Sequence, residues 1–261
     1  MPAPAPAPAL PRIRPVLNRV PRVTAMFWIV KVLTTGMGET TSDFFVKRFP
    51  PEIVVPIAFV VLVAMLVAQF RLRRYVAPVY WTTALAVSVF GTMAADVLHV
   101  GLGVPYLVST IGFAIVLGAV FALWYAVEHT LSVHAITTRR RETFYWATVL
   151  TTFALGTAVG DWTATSLGLG YLASGVVFAA VIALPALAHR FLGLNAVLAF
   201  WFAYVITRPL GASFADWLAV SPARGGLDLG PGPVSLVALG VFAVLVTVLA
   251  VRRPDLEAAP A

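Results

Sequence analysis

The chain has 261 residues, 60% of them hydrophobic and only 11% charged, with a formal net charge of +7 and a mean hydropathy of +0.92. Soluble domains carry about 25% charged residues, so this composition describes an integral membrane protein with little room for a separate soluble domain. There is no cysteine, which excludes disulfides, thiolate metal sites and cysteine nucleophiles, and the basic residues fall in loops between apolar runs, which makes them a topology signal and not a nucleic-acid face.

Residues 1–22, MPAPAPAPALPRIRPVLNRVPR, form a Pro/Ala/Arg-rich tail. It lacks the apolar centre and small-residue cleavage site of a signal peptide, and reads as a retained, disordered or polyproline-like cytoplasmic extension. Beyond it, a hydrocarbon core about 30 Å thick requires roughly 20 mostly apolar residues per helix. Eight runs meet that need, near residues 26–46, 53–70, 79–99, 104–127, 145–165, 170–188, 197–219 and 233–251. They are too long for barrel strands and do not alternate. Residues 23–252 are therefore expected to form an all-α domain of eight transmembrane helices, followed by a C-terminal tail over 253–261.

Basic residues orient the spans. Arg12, Arg14, Arg19, Arg22, Arg71, Arg73, Arg74, Arg139, Arg140, Arg141, Arg190, Arg252 and Arg253 lie on one side, 13 of the 18 Lys and Arg residues. The opposite loops hold Lys47, Arg48 and Arg224, while Lys31 and Arg208 fall inside spans. The positive-inside rule places both termini in the cytoplasm.

The odd-numbered runs contain an internal repeat: WIVKVLTTGMGETTSD, WTTALAVSVFGTMAAD, WATVLTTFALGTAVGD and WFAYVITRPLGASFAD. Each begins with a tryptophan (Trp28, Trp81, Trp146, Trp201). A glycine follows ten residues later (Gly38, Gly91, Gly156, Gly211), and an aspartate five after that (Asp43, Asp96, Asp161, Asp216). One further span follows each, so the chain reads as four two-helix hairpins over about 24–70, 77–128, 142–190 and 197–251. Units that cross twice all enter in the same direction, which makes them parallel repeats around a pseudo-symmetric axis along the membrane normal. This arrangement resembles a bacterial membrane-protein family defined by a repeat of unknown function, whose members carry four tandem repeats of two spans with a characteristic tryptophan. The resemblance covers about residues 24–251 and implies a bacterial inner-membrane location. It implies no activity.

Each repeated residue type has a physical reading. The tryptophans start their helices at the cytoplasmic end, where an indole anchors at headgroup level with its N–H wet. The glycines pair with Ser42, Ala95, Gly160 and Ala215 four residues on, and such small-xxx-small pairs let helices approach closely. Thr34, Thr152 and Thr207 extend the stripe by a turn. The aspartates lie about 22 Å along the helix from the tryptophans, near the negative end of the helix dipole, where a carboxylate is disfavoured. They cap turns at the water interface, or they are functional intramembrane groups; both readings stand.

Polar residues run inward from the aspartates at spacings of three and four. The first helix offers Lys31, Thr35, Glu39 and Asp43; the third Ser88, Thr92 and Asp96, with His99 one turn beyond. The fifth offers Thr157 and Asp161, and the seventh Tyr204, Arg208 and Asp216, with Pro209 expected to disturb the hydrogen-bond ladder. Ser109 and Ser174, each 13 residues after an aspartate, either hydrogen-bond the carboxylates or cap helix ends. Five carboxylates against two cations in the spans demand protonation or a bound cation.

The functional expectation is a transporter for a hard cation, a divalent metal such as Mn2+ or Mg2+ or a proton-coupled cation, bound by Asp43, Glu39, Asp96, Asp161 and Asp216. Oxygen ligands suit such ions. Lys31 and Arg208 are the expected counter-ions or gates. No permanently bound cofactor, nucleic acid or enzymatic activity is expected; the partners are lipid and a small inorganic cation. The alternatives are a carrier for a small organic anion held by Lys31 and Arg208, and a non-transport scaffold or sensor. Glu128, His129, His134 and His189 read as solvated residues at the cytoplasmic rim, with a metal site or a pH-sensitive gate as the competing reading.

Overall fold

The computed structural model describes residues 18–252. Among these, helices account for the fold: α1 (Ala25–Arg48), α2 (Pro51–Arg71), α3 (Ala77–Asp96), α4 (Tyr106–Glu128), α5 (Arg139–Asp161), α6 (Gly170–Val181), α7 (Ala183–Leu192), α8 (Ala196–Ala219) and α9 (Pro231–Arg252). Six helical segments are long and apolar enough to cross a membrane: α2, α3, α4, the α6–α7 unit, α8 and α9. Helices α1 and α5 match them in length but carry more charge.

Local sequence explains the boundaries. The side chains of Thr24, Thr138 and Asn195 cap α1, α5 and α8 by accepting the backbone N–H of Phe27, Arg141 and Val197. Proline opens α2 and α9 at the first turn, where its missing N–H costs no hydrogen bond. Gly193, in the left-handed region at φ 71°, closes α7. Pro209, which cannot donate to the backbone ladder, leaves α8 continuous across its length. Irregularity falls elsewhere, in one π-helical turn after Asp96 (Val97–Gly101) and another after Asp161 (Trp162–Ser166).

Helices α1, α3, α5 and α8 form a closed inner ring in that order, with α8 returning to α1. A repeat glycine sits at each seam. A Cβ on Gly38 would fall 2.5 Å from Ser88 Cβ, on Gly91 2.8 Å from Phe153 Cβ, on Gly156 2.5 Å from Arg208 Cβ, and on Gly211 2.8 Å from the Val32 carbonyl oxygen. None of these positions admits a side chain without displacing its neighbour, which is the close approach that small residues allow.

The outer helices pack across the repeats rather than within them. Helix α2 packs on α3, α4 on α5, α6 and α7 on α8, and α9 on α1. Each outer helix thus covers the inner helix of the following repeat and makes few contacts with its own. The apolar sides of the outer helices face away from the protein: Val60, Ile115, Val176 and Val244 are all exposed.

The described part of the N-terminal segment also departs from expectation. Residues 1–17, and the C-terminal tail over 253–261, lie outside the described residues, but Asn18–Arg22 is anchored. The Arg19 N–H donates to the Ile136 carbonyl, and the Tyr75 N–H donates to that of Asn18. The Arg19 guanidinium meets Glu142 at 2.6 Å and the Leu72 carbonyl at 3.1 Å. Gln69 completes the cluster with a 2.9 Å bond to Glu142. A buried carboxylate at the start of α5 therefore ties together three parts of the chain.

Candidate cation site

The inner ring encloses an axis lined in layers by equivalent positions of the four repeats. One residue before each tryptophan stands an aromatic: Phe27, Tyr80, Tyr145 and Phe200, all buried. Tyr80 and Tyr145 hydrogen-bond through their hydroxyls, and Phe27 contacts Phe200 at 6.1 Å between centroids. This layer closes the axis on the side of the termini.

The tryptophans pack around it, which corrects the assignment of Trp81, Trp146 and Trp201 as wet anchors. Trp81, Trp146 and Trp201 are buried, and Trp28 is half-buried. The Trp201 indole donates to the Leu131 carbonyl at 2.9 Å, whereas those of Trp81 and Trp146 have no hydrogen-bond partner. Edge-to-face contacts among these rings and the neighbouring Tyr and Phe residues add to the stabilisation from burial alone.

Above the aromatic floor the repeats differ. The next layer holds Lys31, Ala84, Val149 and Tyr204. Lys31 is 1% exposed, and its ammonium has no hydrogen-bond partner. It sits 4.1 Å from the Phe153 ring centre and 4.3 Å from that of Tyr204, held by the negative faces of the two rings. The following layer holds Thr35, Ser88, Phe153 and Arg208. Arg208 Nη2 donates to Glu39 Oε2 at 2.5 Å, Thr92 Oγ1 at 2.5 Å and Thr157 Oγ1 at 2.8 Å. Those three acceptors each follow a repeat glycine by one residue. One guanidinium from α8 therefore touches all three other inner helices.

The four aspartates crown the axis. Asp43, Asp96, Asp161 and Asp216, with Glu39 below them, line one cavity of about 360 Å³. Its rim also carries Lys47, Arg224, Tyr106 and Tyr171. Lys47 pairs with Asp43 at 2.5 Å, and Arg224 hydrogen-bonds the Tyr171 hydroxyl. With Arg208 beneath, three cations face five carboxylates, so acidic groups are in excess. Convergence of carboxylates in a partly enclosed space attracts cations, because the low-dielectric walls strengthen each interaction.

The structure thus gathers all five predicted carboxylates at one place, while Lys31 and Arg208 lie deeper and apart in role. Arg208 is ion-paired; Lys31 touches no carboxylate. Ser109 binds His99 and not an aspartate, and the Ser174 hydroxyl has no hydrogen-bond partner. At the other end, Glu128 is held by Arg140 and Arg141, and the His189 ring bonds the Leu194 carbonyl. Among the described residues, the group of three close enough to hold a metal is Asp96, His99 and Asp161. Sequence reasoning missed the aromatic floor, although an aromatic precedes every repeat tryptophan. It also missed Lys47, at the end of α1, and Arg224, from the loop after α8, which carry no repeat signal, and Tyr106 and Tyr171 on outer helices, although each stands ten residues after its repeat's aspartate.

No curated protein and no solved structure matches the chain. A family model does, four times in tandem, over residues 26–75, 79–130, 144–193 and 199–254. These segments coincide with the inner and outer helix of each repeat, and they leave little of the chain unmatched. The chain is therefore a member of the family defined by the Repeat of Unknown Function (DUF347).

Proposed function

We propose that this protein spans a bacterial cytoplasmic membrane eight times, with both termini inside, and transports a cation through the axis of its inner ring. The cargo is a divalent metal or a cation exchanged against protons. The observation that carries this reading is the convergence of Glu39 and the four repeated aspartates on one cavity. Helices α1 and α5 complete the count of spans despite their charge, because Lys31, Glu39 and Glu142 are turned inward and shielded by neighbouring helices, as intramembrane ionisable groups are.

In this conformation the cavity opens on the face opposite the termini, and the aromatic floor closes the other. Alternating access would require the floor to part while the acidic end closes. Arg208 bridges all four inner helices and is suited to sense that rearrangement. An organic-anion carrier is less well supported, since Arg208 is committed to Glu39 and two threonines, and Lys31 is enclosed by aromatic rings. The test is flux into proteoliposomes. Replacing Asp96 and Asp161 together by Asn is expected to abolish uptake of the transported metal or the coupled proton movement. Wild-type rates in that double variant would overturn the assignment of the aspartates to the transport site, and absence of any flux in the wild type would favour a scaffold.

A further inference from the structure

Three residues after the shared aspartate the repeats carry Val46, His99, Ala164 and Ala219. The second repeat alone places an imidazole there. The π-helical turn Val97–Gly101 carries His99 inward, leaving it 8% exposed while Val100 is 80% exposed. Turns of this kind recur at functional sites. One His99 ring nitrogen and one carboxylate oxygen from each of Asp96 and Asp161 lie within 4.8 Å of one another.

The hydrogen bonds around the ring favour one tautomer. Ser109 Oγ lies 2.5 Å from His99 Nε2. Where the Ser109 hydroxyl donates to the Tyr106 carbonyl at 3.0 Å, Oγ accepts from Nε2–H. The lone pair is then on Nδ1. That atom is buried and has no hydrogen-bond partner, and an unsatisfied buried acceptor costs its full desolvation. Metal-ligating histidines are held in this manner, with the second nitrogen donating to a fixed partner. The third repeat provides an internal contrast: Ser174 stands at the same offset from its aspartate as Ser109, Ala164 replaces the histidine, and the serine hydroxyl has no partner.

We infer that Asp96, His99 and Asp161 form a metal subsite within the acidic cavity, and that His99 Nδ1 makes it prefer a first-row divalent transition metal to Mg2+ or Ca2+. The inference rests on the reading of the cavity as a cation site and adds which cations it takes. Mg2+ and Ca2+ bind through oxygen and gain little from an imidazole, whereas the later first-row metals gain a strong bond. The other cavity carboxylates and water supply the remaining ligands.

The test uses full-length protein in detergent, titrated with Co2+ and followed by its ligand-field absorption, with Mg2+ as competitor. Wild-type Co2+ binding should survive about a 100-fold excess of Mg2+. His99→Gln, whose amide can still bond Ser109, should weaken Co2+ by about 10-fold or more, and Ser109→Ala by about 10-fold, with Mg2+ affinity changed little. X-ray absorption at the cobalt edge of the wild-type complex should show the outer-shell scattering of an imidazole, a readout that needs no variant. Unchanged Co2+ affinity in His99→Gln, or a cobalt spectrum without imidazole, would overturn the subsite while leaving the cation cavity in place. Absence of affinity for both Co2+ and Mg2+ in the wild type would overturn the cavity reading itself.

Discussion

Arg208 Nη2 and Glu39 Oε2 meet at 2.5 Å across 169 positions of sequence, linking the last repeat to the first inside a closed ring. The arginine side chain is fully buried and the glutamate nearly so. Both pay a desolvation cost on leaving water, which their mutual contact, the two threonine hydroxyls and the Phe153 ring 5.7 Å from the guanidinium offset.

Removing one partner should therefore harm the fold more than removing both. Arg208→Met is expected to destabilise by about 3–5 kcal/mol, since it strands a buried carboxylate. Combining it with Glu39→Gln should recover a good part of that loss. Denaturant unfolding in micelles, run as a double-mutant cycle, measures the difference; simple additivity of the two changes would contradict the pairing.

Lys31 makes the opposite prediction. Its ammonium has two aromatic faces but no hydrogen-bond acceptor, so burial of the charge is incompletely compensated. Lys31→Met keeps the length and removes the charge, and should raise stability by on the order of 1 kcal/mol. If cation flux falls in a variant that melts higher than wild type, Lys31 serves transport and not packing. A lower melting temperature would refute this account of its environment.

The seam glycines differ sharply from glycines on the outer helices. Gly211→Ala drives a methyl group toward the Val32 backbone, which cannot rotate away, and should cost about 1–3 kcal/mol. Gly112→Ala, on α4, meets nothing within 4 Å. It should be neutral or gain up to about 1 kcal/mol from helix propensity. Thermal unfolding of the two variants side by side decides whether the ring is as tightly packed as described.

The Arg19–Glu142–Gln69 cluster predicts that a residue preceding the first helix matters to the whole bundle. Glu142→Ala leaves a guanidinium and an amide facing an empty buried position, at a cost of about 3–5 kcal/mol. Arg19→Ala should cost a similar amount. Limited proteolysis of the Arg19→Ala variant should show faster cleavage around residues 18–22 than in wild type. Equal cleavage rates would mean that the backbone bonds to Ile136 and Tyr75 hold the segment without the ion pair.

Much of this architecture was legible in one dimension. Tryptophan, glycine and aspartate recur at fixed spacing, and a helix of fixed pitch turns fixed spacing into equivalent height and face. The membrane character, the helical class, the four repeats and the grouping of the aspartates follow from composition and period alone. The layers of the axis were latent in the same register: positions three residues before and one after each glycine contain Arg208 and its three acceptors. What hid them was chemistry that differs between repeats, since lysine, alanine, valine and tyrosine in one layer show no common residue type.

The tertiary structure decided the rest. That each outer helix covers the neighbouring repeat depends on how the ring closes, and nothing local in the sequence encodes closure between α8 and α1. The tryptophans read as interfacial because indole favours that depth in a lone helix; inside a ring of aromatics, burial against other rings wins. Asn18–Arg22 read as part of a flexible tail because its order comes from Glu142 and Gln69, which are remote in sequence. His99 looked like one more polar residue on a stripe until the π-helical turn and Ser109 set its direction and its hydrogen-bond partner. Period determined which residues share a level, and only contact between distant helices determined what each one touches there.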